Sequence, residues 1–191
     1  MKFLFFNRVS STQDVAYRLA LQGEQEGTVV VSDYQTAGRG KLGRKWFAPP
    51  EKNILCSVIL RPNISPGQVF LLTRSAAYAI KKVIEKKTDL SLCFKHPNDL
   101  LINGKKVAGV LAETHLKGEK LEFVILGMGI NVNAVRGNYE GMSGRPVATS
   151  QGINAGKEQL IEGATSLKQE TGKSFSRPAL LREILRNLKV R

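Results

Sequence analysis

Cysteine, histidine and tryptophan are rare in this sequence. Its 191 residues contain two cysteines, two histidines and one tryptophan. Cys56 and Cys93 have no CxxC spacing, and both lie in apolar runs that predict strands. We therefore expect two buried, reduced thiols in a cytoplasmic protein, which excludes a disulfide scaffold or a zinc cluster. The lack of a Ser-His-Asp or Cys-His arrangement also argues against a side-chain nucleophile.

Long hydrophobic runs are missing as well. The start of the chain, MKFLFFN, has four consecutive apolar residues, which is fewer than the roughly seven of a signal-peptide core. No segment approaches the roughly 18 apolar residues that a membrane span requires. The sequence therefore predicts a soluble protein. Its apolar content of 42% allows one domain over residues 1–191 to bury a sizeable core.

Acidic residues are scarce relative to basic ones. The chain has 29 Lys and Arg against 16 Asp and Glu, which gives a net charge of +13. This excess indicates an anionic partner, which could be a nucleotide, a nucleic acid, an acidic protein or an anionic membrane. The sign of the charge alone does not choose among them.

The basic charge is densest in a glycine-rich stretch at residues 35–50, QTAGRGKLGRKWFAPP. Glycines let backbone N–H groups approach a phosphate closely, and the cations between them neutralise its charge. The spacing matches neither GxxxxGK[ST] nor GxGxxG, so those two nucleotide-binding motifs are not supported. A solvated basic turn is the structural alternative. The glycines and cations here are Gly38, Arg39, Gly40, Lys41, Gly43, Arg44 and Lys45, followed by Trp46.

Local patterns predict an alternation of strands and helices. Ser10 with Gln13 has the form of a capping box before a helix at 13–21, with Ser11 and Thr12 as cap residues that could also bind a ligand. Strands are expected at 2–6, 28–34 and 54–60, and the longest helix at 66–86. Its stripe of Leu72, Ala76, Ile80 and Val83 predicts packing on the sheet.

The second half predicts further strands, at 90–95, 100–102, 105–112 and 121–126. The Asn103-Gly104 pair indicates a two-residue hairpin, and Gly109 inside a strand indicates close approach of a ligand or backbone. Residues 134–156 predict a mobile loop or lid. A short helix is expected at 157–162, and a last helix begins at 176–178 and carries Leu180, Ile184 and Leu188.

Four motifs occur in a fixed order: SSTQ at 10–13, YQTAGRGKLGRKW at 34–46, KHPND through KKVAGVLAE at 95–113, and GMGINVN at 127–133. In that order they resemble the biotin protein ligases, over about residues 7–188. The resemblance implies an α+β fold, with a mixed, largely antiparallel sheet and helices packed mainly on one face. This is the class II aminoacyl-tRNA synthetase and biotin ligase type of fold.

The resemblance also implies roles for individual residues. Lys106 and Arg39 would be catalytic, and no side chain is assigned as a metal ligand. The biotin pocket would be lined by Ser11, Thr12, Gln35, Gly38, Arg39, Lys106 and Gly109. ATP and the adenylate would be bound by Lys41, Arg44, Trp46, Asn98, Lys106 and Asn131.

The implied activity is ligation of biotin to a carrier-protein lysine, with ATP and biotin as substrates and Mg²⁺ as cofactor. Biotin is activated to biotinyl-5'-AMP and then transferred to a biotin carboxyl carrier protein. We expect no amino-terminal helix-turn-helix domain, no DNA binding, no membrane, and a carboxy-terminal SH3-like domain that is absent or truncated. A homodimer is possible in this family.

Three features depart from the family pattern. Lys41 replaces an Arg and loses the planar grip on phosphate. His96 replaces a Trp, which we interpret as a packing substitution, and residues 135–158 are longer than expected. The alternatives are a lipoate ligase, a non-catalytic biotin-binding homologue, and a basic nucleic-acid-binding module.

Overall fold

The computed structural model describes residues 1–135 and 163–189, which contain seven strands and four α-helices. Two short 3₁₀ turns lie at Lys41–Gly43 and Pro66–Gln68. The strands are β1 (Phe3–Val9), β2 (Val29–Gln35), β3 (Ile54–Leu60), β4 (Cys93–Lys95), β5 (Asp99–Ile102), β6 (Lys105–Lys117) and β7 (Lys120–Ile130). The helices are α1 (Thr12–Leu21), α2 (Phe70–Thr88), α3 (Leu167–Thr171) and α4 (Arg177–Asn187).

The strands form one sheet in the order β1-β2-β3-β7-β6-β5-β4. The β1–β2 pair is parallel and the other pairs are antiparallel. Because β7 lies between β3 and β6, its residues Val124–Ile130 pair with β3 on one side, and the strand pairs with β6 on the other. The predicted mixed, largely antiparallel sheet is confirmed.

The two faces of the sheet are buried by different helices. On one face, α2 and α4 cover β-strand residues such as Leu126 and Met128. On the other face, α1 covers a smaller cluster that includes Ile59, Phe123 and Ile125. Alternate residues of β7 therefore point to opposite layers, as the period of a strand requires. Beyond Ile125, the α1 side of β7 carries Gly127, where the absence of a side chain makes room for the polar side chain of Gln13.

The helix at the start of the chain begins at Thr12, one residue earlier than predicted, and its cap lies one residue after the predicted capping-box serine, Ser10. Ser11 is the N-cap, and its Oγ accepts a hydrogen bond from the Gln13 N–H at 3.2 Å. Ser10 Oγ instead donates to Asp14 Oδ2 at 3.4 Å, and the Gln13 side chain points to Glu113. The Ser10–Gln13 capping box is therefore wrong, and the cap role of Ser11 is confirmed.

Most other local predictions are confirmed. β3 has the predicted bounds, Asn103 and Gly104 form the hairpin turn with φ of 50° and 75°, and the predicted stripe of α2 is buried. Ser176 caps α4 as expected. The predicted long helix divides into the turn at Pro66–Gln68 and α2, while the predicted strand at 90–95 shortens to β4.

Four expectations need correction or lie outside the described residues. Cys56 is buried, but Cys93 is exposed because β4 is the last strand of the sheet. His96 is also exposed, so the interpretation as a packing substitution is wrong. The predicted helix at 157–162 and nearly all of the predicted loop at 134–156 lie outside the described residues. Within the described ranges, no helix is long and apolar enough to cross a membrane.

Candidate active site

The glycine loop, residues 38–46, folds as a short hairpin beside the sheet. Arg39 pairs with Lys45 in an isolated antiparallel bridge, and the Trp46 N–H donates to the Gly38 carbonyl at 2.8 Å. A Cβ atom at Gly38 would lie 2.6 Å from the Trp46 carbonyl oxygen. Position 38 therefore requires glycine, because any side chain would force the base of the hairpin apart.

The indole of Trp46 rests on a floor made by two glycines of adjacent strands. Gly109 of β6 lies opposite Gly129 of β7. A Cβ at Gly129 would lie 2.6 Å from two ring carbons of Trp46, and one at Gly109 would lie 3.0 Å from a third. The close approach predicted for Gly109 is thus made by the Trp46 and Lys106 side chains, since the same Cβ would lie 3.2 Å from Lys106 Nζ. Lys106 Nζ also lies 5.1 Å from the centroid of the Trp46 ring.

Arg39 fastens the base of the loop to the sheet and to α1. Its Nε and Nη2 donate to Glu113 Oε1 and Oε2 at 2.8 and 2.9 Å, and its Nη1 donates to Asp14 Oδ1. The hydrogen bonds from Arg39 to Glu113 and then to Asp14 raise the pKa of Arg39, although partial burial acts in the opposite sense. The guanidinium is therefore permanently charged, and it donates its hydrogen bonds to the carboxylates of Glu113 and Asp14. Its contact with a ligand stays a prediction.

One end of the site is cationic. Lys106 Nζ lies 2.8 Å from Asp99 Oδ1, and the two side chains are 34% and 20% exposed. Asn98 Nδ2 donates to the Val110 carbonyl, which orders the start of β5 beside them. The loop adds three exposed cations at this end, Lys41, Arg44 and Lys45. Such a cluster can bind anionic groups that approach from solvent.

The other end is neutral and polar. Gln35 Oε1 accepts hydrogen bonds from the Thr12 N–H at 2.7 Å and from Thr12 Oγ1 at 3.0 Å. Ser57 Oγ donates to Thr12 Oγ1 at 2.8 Å. Gln35, Thr12 and Ser57 therefore form a chain of hydrogen bonds at the start of α1, next to the helix cap Ser11, so their orientations are set before any ligand enters.

Gln13 completes this end but leaves one atom unpaired. Its Nε2 donates to Glu113 Oε2 at 3.0 Å and to the Ile125 carbonyl at 3.4 Å. Its Oε1 is buried without a hydrogen-bond partner. A Cβ at Gly127 would lie 2.8 Å from that oxygen, so glycine at position 127 lets the Gln13 amide pack against β7.

These two ends line one cavity of about 130 Å³. Among the predicted site residues, the structure brings ten to its wall: Ser11, Thr12, Gln35, Arg39, Lys41, Arg44, Trp46, Asn98, Lys106 and Gly109. Gly38 lies at the loop base, behind the wall. Asn131 is 5% exposed, and its Oδ1 accepts a hydrogen bond from Asn53 Nδ2, so it supports the end of β7 from beneath.

Sequence reasoning missed several residues of the site. Gln13, Ser57 and Asp99 also line the cavity, as do Gly127 and Gly129 of the fourth motif, to which no site role was assigned. The spacing of Gly127 and Gly129, two apart within an apolar run, was a signal for a strand face without side chains. Cys56 lines the cavity too, and burial raises the pKa of its thiol to about 12, so it remains a neutral wall residue at physiological pH.

Comparison with known proteins identifies the group to which this site belongs. A model of the biotin/lipoate A/B protein ligase family matches residues 5–131, which is more than half of the chain. The chain belongs to this family. The bifunctional ligase/repressor BirA of Bacillus subtilis (strain 168) is 37% identical over 182 residues, covering 95% of this chain and 51% of the relative. The biotin–[acetyl-CoA-carboxylase] ligase of Mycobacterium tuberculosis is 35% identical over 127 residues, covering 64% of this chain and 46% of the relative.

Solved structures agree with the family and with the fold. The biotin protein ligase from Aquifex aeolicus, in complex with biotin and ATP, is 29% identical and has a TM-score of 0.72. That match covers 98% of this chain and 68% of the Aquifex chain. The predicted family and fold class are therefore confirmed, while the chain spans about half the length of the curated relatives it matches.

Proposed function

We propose that the chain activates biotin with ATP to biotinyl-5'-AMP and transfers the biotinyl group to a lysine of a biotin carboxyl carrier protein. The observation that carries this proposal is the polarity of the cavity, which has a neutral hydrogen-bonding end and a cationic end. Biotin has the matching form, with a neutral ureido ring at one end and a carboxylate at the other. The carboxylate would then lie beside the cations that also receive the ATP phosphates.

The first chemical step joins two anions, which explains the need for cations. A carboxylate oxygen attacks the α-phosphorus of ATP, the bond to the bridging oxygen of pyrophosphate breaks, and pyrophosphate leaves. Lys106 can screen both anions and hold them in line once it releases Asp99, 2.8 Å away. In the second step the carrier amine attacks the acyl carbon, AMP leaves with the bonding electrons, and the amine proton passes to solvent.

Arg39 contributes by holding the loop, because Glu113 and Asp14 occupy its guanidinium. The backbone of the glycine loop then lies along the cavity, and closure over the adenylate would exclude water from the mixed anhydride. Trp46, on the glycine floor, supplies an aromatic face for the nucleotide base.

The described part of the chain contains no preformed set of side-chain ligands for Mg²⁺. No group of three His, Cys, Asp or Glu residues there could hold a metal ion, and Asp14, Asp99 and Glu113 are paired with cations. Mg²⁺ would therefore enter with the ATP phosphates and shield the leaving pyrophosphate.

The remaining parts of the proposal follow from the family. The carrier would be a subunit of acetyl-CoA carboxylase or a related carboxylase, the reaction would take place in the cytoplasm, and a homodimer fits an open sheet edge. DNA binding is not expected of this domain. The alternative acyl substrate is lipoate, whose ring lacks the hydrogen-bonding groups that match Thr12 and Gln35.

Biotin-dependent exchange of labelled pyrophosphate into ATP tests the activation step. Wild type should exchange only with biotin and Mg²⁺ present, and Lys106→Ala should lose roughly 100-fold or more, as for loss of a charge that stabilises a transition state. Lys105→Ala is the matched control, because Lys105 is exposed at the adjacent hairpin position. Exchange with lipoate in place of biotin would contradict the proposed substrate. A chain that binds biotin without exchange would be the non-catalytic homologue.

A further inference from the structure

We propose that Glu170 of α3 is a positioning residue, whose carboxylate holds in place the backbone from which the Lys106 side chain enters the cavity. Glu170 lies outside the cavity wall. The inference rests on the proposed function, in which the Lys106 ammonium holds the biotin carboxylate and the α-phosphate of ATP in line. It concerns the strand that carries the lysine, not the ligand-binding side chains themselves.

Lys106 lies where β6 has lost one of its two neighbouring strands. On one side it pairs with Leu101 of β5. On the other side β7 ends at Ile130, opposite Ala108, two residues short of Lys106. A strand residue that lacks a neighbour leaves its N–H and C=O unpaired, and its backbone is then held less firmly.

Residues 163–165 take the place of β7 beside the lysine. The Lys106 N–H donates to the Gly163 carbonyl at 2.7 Å, and the Thr165 N–H donates to the Lys106 carbonyl at 2.8 Å. Ala164 forms an isolated parallel bridge with Lys106. These two hydrogen bonds pair the N–H and the C=O of Lys106, so residues 163–165 fix its backbone on this side.

The Glu170 carboxylate connects the two segments that adjoin Lys106. Its Oε1 accepts a hydrogen bond from Thr165 Oγ1, and its Oε2 accepts one from Asn103 Nδ2 at 3.0 Å. Thr165 follows the bridge to Lys106, and Asn103 lies in the hairpin turn that leads into β6. One side chain therefore holds the bridging segment against the hairpin, with the lysine backbone between them.

The position of α3 does not depend on this carboxylate. Leu167, the first residue of the helix, is fully buried, and its N–H donates to the Asn131 carbonyl at 3.1 Å. Ser166 caps the helix with its side chain. Removal of the Glu170 carboxylate should therefore leave α3 in place and loosen mainly residues 163–165 and the hairpin. Since the Lys106 ammonium extends from that backbone, it should lose its fixed position.

The first measurement is biotin-dependent exchange of pyrophosphate into ATP by wild type, Glu170→Ala and a control. A misplacement of about 1 Å can cost roughly 100-fold in rate. We expect Glu170→Ala to lose roughly 10-fold, because β5 still pairs with Lys106. Glu170→Gln should restore most of the rate, since an amide can still bond to a hydroxyl and to another amide. The control is Glu119→Ala, at an exposed turn position between β6 and β7, which should exchange like wild type.

The decisive measurement couples Glu170 to Lys106. Glu170→Ala is made in wild type and in Lys106→Ala, and the urea midpoint of each protein is measured beside its exchange rate. If Glu170 acts through the Lys106 ammonium, its substitution lowers the rate roughly 10-fold in wild type but less than about twofold in Lys106→Ala. A merely structural role would not produce this coupling, because a loss of stability or of other contacts would act equally in both backgrounds. If exchange by Lys106→Ala is too slow to measure, the dissociation constant of biotin replaces the rate in the same cycle.

The inference is overturned if Glu170→Ala exchanges within about twofold of wild type, or if the losses from the two substitutions multiply. If Glu170→Ala fails to fold, Thr165→Val and Asn103→Gly decide, because each removes one of the two hydrogen bonds and glycine tolerates the φ of 50° at position 103. Slower exchange in both would support the inference, and wild-type rates in both would overturn it. Folded wild type without biotin-dependent exchange would refute the proposed function and this inference with it. Normal exchange that is independent of Glu170 would refute the inference alone.

Discussion

Replacing Gly129 by alanine should expel Trp46 from its place on the sheet. The added Cβ would lie 2.6 Å from Cε2 and Cζ2 of the indole, whereas carbon atoms pack at about 3.5–4.0 Å. The ring must therefore move by about 1 Å. Gly129 cannot yield instead, because β7 is bonded there to Leu55 of β3 and to Gly109 of β6.

The expected cost follows from the same geometry. Forcing one extra methyl into a packed contact destabilises a protein by about 1–3 kcal/mol. Lys106 Nζ lies 5.1 Å from the centroid of the indole, so the position of Lys106 at the cationic end of the cavity should shift when the ring moves. Because the chain has one tryptophan, its emission reports this ring alone. We expect a red shift, stronger quenching by iodide and a lower urea midpoint.

Two matched variants isolate the cause. A Cβ at Gly67 would have no atom within 4 Å, so Gly67→Ala should stay within about 0.5 kcal/mol of wild type. The loss of stability in Gly109→Ala should lie between those of Gly67→Ala and Gly129→Ala, since its Cβ would lie 3.0 Å from the indole and 3.2 Å from the flexible end of Lys106. Unchanged emission and an unchanged urea midpoint in Gly129→Ala would refute the glycine floor.

Three further predictions concern thiols and the glycine loop. One thiol of the native chain should react quickly with a thiol reagent at neutral pH, since Cys93 is exposed while burial raises the pKa of Cys56 to about 12. Cys93→Ser should abolish the fast phase, and two fast-reacting thiols in wild type would contradict the prediction. Arg39→Ala should accelerate tryptic cleavage within residues 41–45, because the contacts of the loop to the sheet and α1 are lost. Equal cleavage rates for the variant and wild type would show that Arg39 does not hold the loop in place. Lys41→Arg should slow release of biotinyl-5'-AMP roughly tenfold through a two-pronged phosphate contact, and an unchanged off-rate in a stopped-flow assay would contradict it.

The sequence was sufficient where a local pattern has a local cause. The continuous apolar run of β3, the buried stripe of α2 and the Asn103-Gly104 turn each follow from the conformations that a few adjacent residues can adopt. The order of four motifs was likewise readable along the chain, and it led to the family that the comparisons confirm. Strand ends were less certain, because neighbouring strands decide where pairing stops.

Tertiary structure alone decided which distant residues meet. Arg39 and Glu113 are 74 residues apart, and Gln13 and Glu113 are 100 apart, yet they form one network. No local pattern encodes such pairs, because the antiparallel register of β6 and β7 and the position of α1 across the sheet bring them together. The same register puts Gly109 opposite Gly129 and creates the floor for Trp46. The sequence by itself therefore determined the elements, the family and most members of the site. The sheet determined that Arg39 is held by carboxylates and that Gln13 keeps one buried oxygen unpaired.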